Sequence, residues 1–211
     1  MPIITAIKAQ KNKKRVNIYL DNSFDFGLDL ENFMKLGLKV NQELTNEEIK
    51  LITEKGEKAK TLEKVISFAS VRPRSKKEIM DYFRRKNTNV LIHWYLIEKL
   101  EKYGLLDDQK FAKWWVEQRL QFKNKSKKDI TFELRQKGID TNTIKNVLDD
   151  SEIDELKITK ELIAKKSYKW QKYDEKVRRQ KISQYLAGKG FSWDVISNLV
   201  SLRGVKDDVA I

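Results

Sequence analysis

Residues 126–148 of the chain read SKKDITFELRQKGIDTNTIKNVL, and residues 178–200 read RRQKISQYLAGKGFSWDVISNLV. Seven positions match at a constant offset of 52 residues, and six of the seven are apolar while one is glycine. The matches are Ile130 with Ile182, Leu134 with Leu186, Gly138 with Gly190, Ile139 with Phe191, Ile144 with Ile196, Val147 with Leu199 and Leu148 with Val200. Apolar residues at helical spacing that recur at one period predict two copies of a helical unit.

The repeat extends beyond these two segments. The same offset aligns Phe111 with Ile163, Ala112 with Ala164 and Val116 with Tyr168. This register predicts Tyr168 in a core and leaves Trp170 open between core and surface. A looser copy comes earlier, because Ile79 and Phe83 precede Ile130 and Leu134 by 51 residues, and SKKE at 75–78 resembles SKKD at 126–129. We therefore predict three copies of the unit.

Each copy divides into three helices. In the middle copy Asp107 or Asp108 begins the first helix, Ser126 the second and Thr141 the third, since short polar side chains accept hydrogen bonds from the free N–H groups there. Gly138 ends the second helix, because glycine adopts the left-handed conformation without steric cost. The expected helices are 75–86 and 89–103 in the first copy, 107–122, 126–137 and 141–149 in the second, and 153–172 at the start of the third.

The apolar face predicted for the 89–103 helix consists of Leu91, Trp94, Leu96, Ile97 and Leu100.

Residues 1–28 show strand period instead. Val16, Ile18 and Leu20 lie at alternate positions, a turn follows at 21–22, and 24–28 alternate again. This pattern predicts a meander of three short strands. Such a sheet needs a cover, which we assign to helices at 30–37 and 45–59; Thr45 with Glu48 is a capping-box signature at the start of the second.

The predicted fold is mainly α, with three tandem three-helix repeats in an elongated, curved array, preceded by a small N-terminal β-meander and helix module. The expected boundaries are 1–59 for the N-terminal module, 60–106, 107–152 and 153–204 for the three repeats, and 205–211 for a tail.

The composition limits the class of protein. The chain has 44 Lys and Arg against 31 Asp and Glu, a net charge of +13. This excess indicates a polyanionic partner: nucleic acid first, an acidic protein groove second, anionic lipid third. There is no cysteine, hence no disulfide framework and no thiolate metal site. Without a membrane-length apolar run or a signal-peptide pattern, we expect a soluble cytoplasmic protein that does not bind membranes.

Candidate chemistry is sparse. His93 is the single histidine, and on an apolar-rich helix we expect it to be a packed side chain. Asp107 and Asp108 follow Gly104 and are interpreted as a helix N-terminus, where negative charge is favoured. No metal-ligand spacing, phosphate-binding loop or nucleophile motif occurs. We therefore predict no catalytic residues, metal or cofactor, and not an enzyme.

The third copy carries a distinctive mixture of residue types. From Lys157 to Lys189 there are eleven Lys or Arg against three acids, interleaved with Tyr168, Trp170, Tyr173 and Tyr185. Basic residues mixed with aromatic rings are typical of surfaces that contact a nucleic-acid backbone and stack on its bases.

Four short motifs follow one another along the chain: Arg72, Arg74 and Ser75; Gly104, Leu105, Asp107 and Asp108; Phe111, Ala112, Trp115, Val116 and Arg119; and Glu133, Leu134, Lys137, Gly138 and Ile139. These motifs resemble those of the bacterial RecX family, the regulators of the RecA recombinase. The match covers about 60–150 strongly and 153–202 through the repeat register. Two departures are Asn87 in place of the first copy's glycine and the linker KNKSKK at 123–128, which lacks the usual glycine.

The resemblance implies a negative regulator that lies in the groove of the RecA–DNA filament and blocks strand exchange, ATP hydrolysis and co-protease activity. The implied partners are the RecA filament and single- and double-stranded DNA, bound without sequence preference and in a salt-sensitive manner. We expect a monomer. The candidate contacts to filament or phosphate are Arg72, Arg74, Lys76, Lys77, Arg84, Arg85, Arg119, Lys127, Lys128, Lys165, Lys169, Arg178 and Arg179.

Two other functions stay open at this stage. One is a plain helical DNA-binding protein with a helix of each unit in a major groove, and the other is a helical adaptor that binds only protein. Spread of the basic charge over several helices favours backbone contact over base reading.

Overall fold

We describe the protein from a computed structural model, covering residues 1–11 and 13–201 apart from the side chains of Val200 and Ser201. The predicted tail at 205–211 and the end of the third repeat lie outside the described residues. The chain forms two compact units. The first consists of Met1–Arg72 with Tyr82–Leu105, and the second of Pro73–Asp81 with Leu106–Ile211.

The first unit contains the predicted meander. Strands β1 (Ile4–Ala9), β2 (Arg15–Leu20) and β3 (Ser23–Asp29) form an antiparallel sheet in chain order. Ile18 pairs with Ile7 on one side and Phe26 on the other. The turn between β2 and β3 places Asp21 and Asn22 at φ values of 47° and 67°, the geometry of a tight hairpin that asparagine and aspartate tolerate.

Two helices accompany the sheet, α1 (Leu30–Leu36) and α2 (Asn46–Ser70). The predicted capping box of Thr45 and Glu48 begins α2. A Cβ added at Gly56 of α2 would lie 2.9 Å from Leu28 Cδ2 and 3.0 Å from the carbonyl oxygen of Gly27, so the helix lies directly against β3. Helix α2 does not end near residue 59 as predicted. It is 25 residues long and continues to Ser70, across the predicted start of the first repeat.

Helix α3 (Lys76–Arg85) ends at Asn87, which has a φ of 48°, as its predicted left-handed role requires. A 3-10 turn at Val90–Ile92 then leads into α4 (His93–Lys102). The predicted inward face of this segment is wrong at its start: Leu91 is 88% exposed and Trp94 75% exposed. Leu91 lies in the 3-10 turn that precedes α4, and Trp94 lies in α4 but off the helix face that Leu96 and Leu100 bury.

The second repeat lies in the second unit and has helices α5 (Asp108–Lys123), α6 (Lys127–Gln136) and α7 (Thr141–Asp150). Asp107 and Ser126 cap α5 and α6 as predicted. The cap of α7 is Asp140 and not Thr141, because its carboxylate accepts hydrogen bonds from two N–H groups at once, those of Asn142 and Thr143.

The third repeat, also in the second unit, has α8 (Glu155–Ala164), a 3-10 turn at Ser167–Lys169, α9 (Glu175–Gly188) and α10 (Trp193–Ser201). The predicted helix over 153–172 is wrong, because α8 ends at Ala164. The prediction that Tyr168 lies in a core is also wrong, since the ring is 66% exposed. Trp170, 7% exposed, packs into the core of this repeat instead.

The repeat register is confirmed across the second and third helices of these copies. Ile130, Leu134 and Ile144 are buried, as are their counterparts Ile182, Leu186 and Ile196. Gly138 and Gly190 have the same φ of 81°. The pair of Leu148 with Val200 cannot be compared, because the Val200 side chain lies outside the described part. The predicted mainly helical fold with an N-terminal three-stranded sheet is confirmed.

Candidate functional site

The thirteen candidate cations differ in exposure. Nine are exposed, and Arg72, Arg74, Arg119 and Arg178 are half-buried. The exposed group consists of Lys76, Lys77, Arg84, Arg85, Lys127, Lys128, Lys165, Lys169 and Arg179.

Two lysine pairs occupy the same place in successive copies. Ser75 and Ser126 are 0% exposed, and each hydroxyl accepts a hydrogen bond from the N–H three residues on, that of Glu78 or Asp129. The two residues that follow each serine lie in the first turn of α3 or α6 and are exposed lysines. A buried cap thus holds each lysine pair at the start of its helix.

Each buried serine also joins its helix to the next copy. The Ser75 hydroxyl donates to the carbonyl oxygen of Lys137 at 2.8 Å, and the Ser126 hydroxyl donates to that of Lys189 at 3.0 Å. The receiving carbonyl precedes Gly138 or Gly190 in both cases. We call this arrangement the serine joint, made of the capping serine and the lysine carbonyl that it reaches.

The N–H next to each serine makes a second bond to the following copy. Lys76 N–H donates to Asp108 Oδ1 at 2.8 Å, and Lys127 N–H donates to Glu155 Oε1 at 2.9 Å. Both acceptors lie in the first turn of the next copy's first helix. Burial raises the pKa of the Asp108 carboxyl above its ordinary value, despite the opposing hydrogen bond from Lys76.

Glycine is needed at the serine joints for two reasons: its backbone is left-handed there, and the neighbouring copy approaches too closely for a Cβ atom. A Cβ at Gly138 would lie 2.9 Å from Lys77 Cβ, and a Cβ at Gly190 would lie 2.8 Å from Ser126 Oγ. The Lys77 ammonium donates to the carbonyl oxygen of Gln136 at 2.7 Å, so this candidate contact already binds the end of α6.

Arg119 lies in an internal network of the second repeat. Its guanidinium carbon is 3.9 Å from the centroid of the Trp115 ring, and its Nε donates to the carboxylate of Glu133. Trp115 Nε1 donates to the same carboxylate at 2.9 Å, and Lys125 Nζ lies 3.4 Å from Glu133 Oε1. Burial would raise the pKa of Glu133, but the hydrogen bonds from Arg119 and Trp115 outweigh it and hold the pKa below its ordinary value.

Arg74 also contacts an acidic side chain of the same protein. Its Nη1 lies 3.9 Å from Glu78, whose other carboxylate oxygen accepts from Lys137 Nζ at 2.7 Å. These side chains are only 12–31% exposed. Arg74 and Arg119 therefore contribute to internal packing, whatever they contact outside.

The candidate cations of the third repeat lie near its 3-10 turn and the start of α9. Lys165 follows the last residue of α8, and Lys169 lies in the turn, with its ammonium 5.9 Å from the Tyr168 ring. Arg179 pairs with Glu175 on the exposed surface of α9, an arrangement worth little in free energy.

The structure brings together additional lysines that the candidate set omits. Lys166, Lys172 and Lys181 lie over the rings of Tyr185 or Tyr173 at 4.7–5.3 Å from the ring centroid. The interleaved lysines and tyrosines between 157 and 189 were the signal for this cluster. Periodicity alone could not select its members, because Lys166, Lys172 and Tyr173 lie outside regular helix.

Other site classes are not represented in the described residues. Within residues 1–11 and 13–201, no three His, Asp or Glu side chains are grouped so that they could hold a metal ion. Over that same part of the chain, every helix is too short or too polar to cross a membrane.

The fold and this surface define a class: a basic protein of tandem three-helix repeats with an N-terminal β module and joints built from buried serines. The comparisons with known proteins are specific. Residues 2–45 match the regulatory protein RecX N-terminal domain, residues 107–148 the second three-helix domain of RecX, and residues 153–200 the third.

Whole-chain relatives agree. The chain is 35% identical over 199 residues to regulatory protein RecX of Bacillus subtilis, covering 93% of this chain and 75% of the relative. Regulatory protein RecX of Clostridium perfringens is 29% identical, with 93% and 94% covered. A crystal structure of regulatory protein RecX superposes with a TM-score of 0.75 at 27% identity, covering 95% of this chain and 99% of that one. The chain belongs to the RecX family of regulatory proteins.

Proposed function

We propose that the protein is a negative regulator of the RecA recombinase and not an enzyme. In this proposal it lies in the groove of the RecA–DNA filament in the cytoplasm and reduces strand exchange, ATP hydrolysis and co-protease activity. It contacts single- and double-stranded DNA without reading sequence. Family membership is the observation that carries the proposal.

The charge of the chain supports a nucleoprotein target. The net charge is +13, and many of the cations are exposed. Contacts to a phosphate backbone release condensed counterions, so the affinity of such a protein falls steeply as salt rises. A filament that displays DNA along its groove offers such a backbone.

The serine joints support an extended target. They place exposed lysine pairs, Lys76 with Lys77 and Lys127 with Lys128, at corresponding positions of successive copies. The hydrogen bonds of the buried serines hold each pair at the start of its helix. Weak contacts repeated along a filament add up, because binding at one copy raises the effective concentration of the next.

The test compares two variants that lose the same charge. The first combines Arg85→Gln, Lys127→Gln and Lys128→Gln, and the control combines Lys50→Gln, Lys55→Gln and Lys58→Gln on the exposed surface of α2. Filament binding is followed by co-sedimentation with RecA on single-stranded DNA, and inhibition by the rate of ATP hydrolysis.

We expect the first variant to bind about 10-fold or more weakly than wild type, and the control to stay close to wild type. The magnitude follows from the loss of three phosphate contacts at moderate salt. The proposed function is contradicted if the wild-type protein neither binds the filament nor slows ATP hydrolysis. Equal losses for the two variants would contradict the assignment of these residues.

A further inference from the structure

The third repeat has an open cleft that contains the candidate cation Lys169 and two lysines outside the candidate set, Lys172 and Lys181. It has a volume of about 680 Å³ and lies between the 3-10 turn and α9. The residues that line it include Tyr168, Lys169, Lys172, Tyr173, Lys181 and Tyr185. We refer to these six residues as the lysine–tyrosine cleft.

Its lysines have aromatic partners and no acidic ones. Lys181 and Lys172 lie 4.7 Å and 5.3 Å from the Tyr173 ring centroid, and Lys169 lies 5.9 Å from that of Tyr168. In the part of the chain that the structure describes, none of the three forms an ion pair. Three ammonium groups near one opening, without carboxylates to balance them, favour an anionic ligand.

In the second repeat, acidic side chains at the corresponding positions pair with the neighbouring cations. Asp129 and Glu133 lie 52 residues before Lys181 and Tyr185. There, Lys125 pairs with Asp129 at 2.9 Å, and Glu133 accepts from Arg119 and Trp115. Replacing Asp129 and Glu133 by lysine and tyrosine changes the charge at these two positions from −2 to +1. The third repeat has therefore exchanged an internal salt-bridge network for an open cationic cleft.

The rings are positioned to contact a flat ligand. Tyr168 is 66% exposed. The Trp170 ring, which also lines the cleft and is 7% exposed, lies 5.4 Å from the Tyr185 ring and anchors the turn to the core of the repeat. An exposed ring on an anchored turn is a stacking platform whose position is fixed before the ligand arrives.

Single-stranded nucleic acid is a polyanion that offers both negative charge for the lysines and flat groups for the aromatic rings. Its unpaired bases stack on aromatic rings, while its phosphates contact lysines. A duplex presents phosphates alone, because its bases are already stacked on each other. Stacking of a base on a ring is stronger than an exposed contact between lysine and tyrosine, so a base can replace an ammonium over Tyr168 and release that lysine to a phosphate.

We infer that the lysine–tyrosine cleft binds single-stranded nucleic acid, with Tyr168 stacking on an unpaired base and Lys169, Lys172 and Lys181 contacting phosphates. The inference rests on the proposed function in one respect, because contact with DNA is part of that function. It assigns that contact to a single place in the third repeat.

The test uses the full chain without any recombinase. Binding of a fluorescent oligothymidylate and of a duplex of equal length is measured by anisotropy at low salt. Tyr168→Ala removes the ring and Tyr168→Phe keeps it; neither should unfold the protein, because the side chain is largely exposed. Lys172→Gln with Lys181→Gln removes two cleft charges, and Lys102→Gln with Lys145→Gln removes two exposed charges elsewhere.

We expect Tyr168→Ala to weaken oligothymidylate binding by about 5-fold to 100-fold, the loss typical of one stacked base, and to leave duplex binding unchanged. Tyr168→Phe should stay within about twofold of wild type. The double cleft variant should weaken oligothymidylate binding more than its control. Wild-type affinity in Tyr168→Ala, or an equal loss for duplex and single strand, would overturn the inference.

The outcome is separable from that of the proposed function. If oligothymidylate binding depends on Tyr168 but RecA activity is unaffected by the protein, the cleft is supported and the proposed function fails. If RecA is inhibited but Tyr168→Ala binds oligothymidylate like wild type, the proposed function stands and the cleft is rejected.

Discussion

At the scale of single residues, Ser126 performs two structural tasks with one hydroxyl. It accepts a hydrogen bond from Asp129 N–H, which caps α6, and donates one to the carbonyl of Lys189 in the next copy. Ser75 repeats both bonds one copy earlier. Because the serines are 0% exposed, water cannot replace the lost partner if the hydroxyl is removed.

We therefore predict that Ser126→Ala lowers the free energy of unfolding by about 1–3 kcal/mol, the cost of losing a cap and leaving a buried carbonyl unpaired. The control is Ser192→Ala, at an exposed helix start where the serine accepts a single bond of 3.4 Å. It should cost less than about 1 kcal/mol. Urea unfolding measures both, and equal costs would show that the serine joint adds nothing.

Two neighbouring glycines offer a second residue-scale comparison. Gly190→Ala should destabilise the protein by about 2 kcal/mol or more, because it forces a left-handed alanine and a contact with Ser126. Gly188→Ala should be neutral or stabilising by up to about 1 kcal/mol, since it lies in α9 with open space at its Cβ. A Gly190→Ala variant as stable as Gly188→Ala would contradict the close approach.

At the scale of elements, some helices could be predicted from the sequence, while the end of α8 could not. The second and third helices of each copy were predictable from apolar spacing and from Gly138 and Gly190. The end of α8 at Ala164 was not, because no glycine or proline follows until Gly188. The register therefore extended the predicted helix eight residues, about two turns, beyond Ala164 and placed Tyr168 in a core.

Prediction of the candidate site from the sequence was limited in a similar way. Helical spacing identified which cations lie off the apolar faces, and nine of the thirteen are exposed. Spacing could not show that Arg119 meets Glu133 on a neighbouring helix, because that pairing depends on how α5 and α6 pack. The residue assignments for filament and DNA contact stay predictions.

The network between α5 and α6 predicts a pH dependence. The pKa of Glu133 is lower in the folded protein than its ordinary value of 4.5. The ionised side chain therefore stabilises the fold above that value, and this contribution is lost as pH falls through the folded pKa. Glu133→Gln should cost about 1–3 kcal/mol at pH 7, with a smaller difference from wild type in acid. Urea unfolding at both pH values tests this, and a difference independent of pH would contradict it.

At the scale of the whole molecule, the excess of cations and the repetition of one joint fit a protein that makes many dispersed contacts. The predicted elongated, curved array and the monomeric state stay predictions. Within the second unit, the second and third repeats differ in the partners of their lysines. In the second repeat Lys125 pairs with Asp129 and Glu133, while in the described part of the third repeat the lysines of the cleft form no ion pair.

If the protein acts on the recombinase filament, as we propose, it must slow DNA strand exchange by RecA. The reaction is run with rising amounts of the purified protein at low and at moderate salt. We predict that strand exchange is inhibited in proportion to the protein added and that inhibition weakens as salt rises. Strand exchange that proceeds at the same rate with and without the protein, at low salt and with excess protein, would contradict the account.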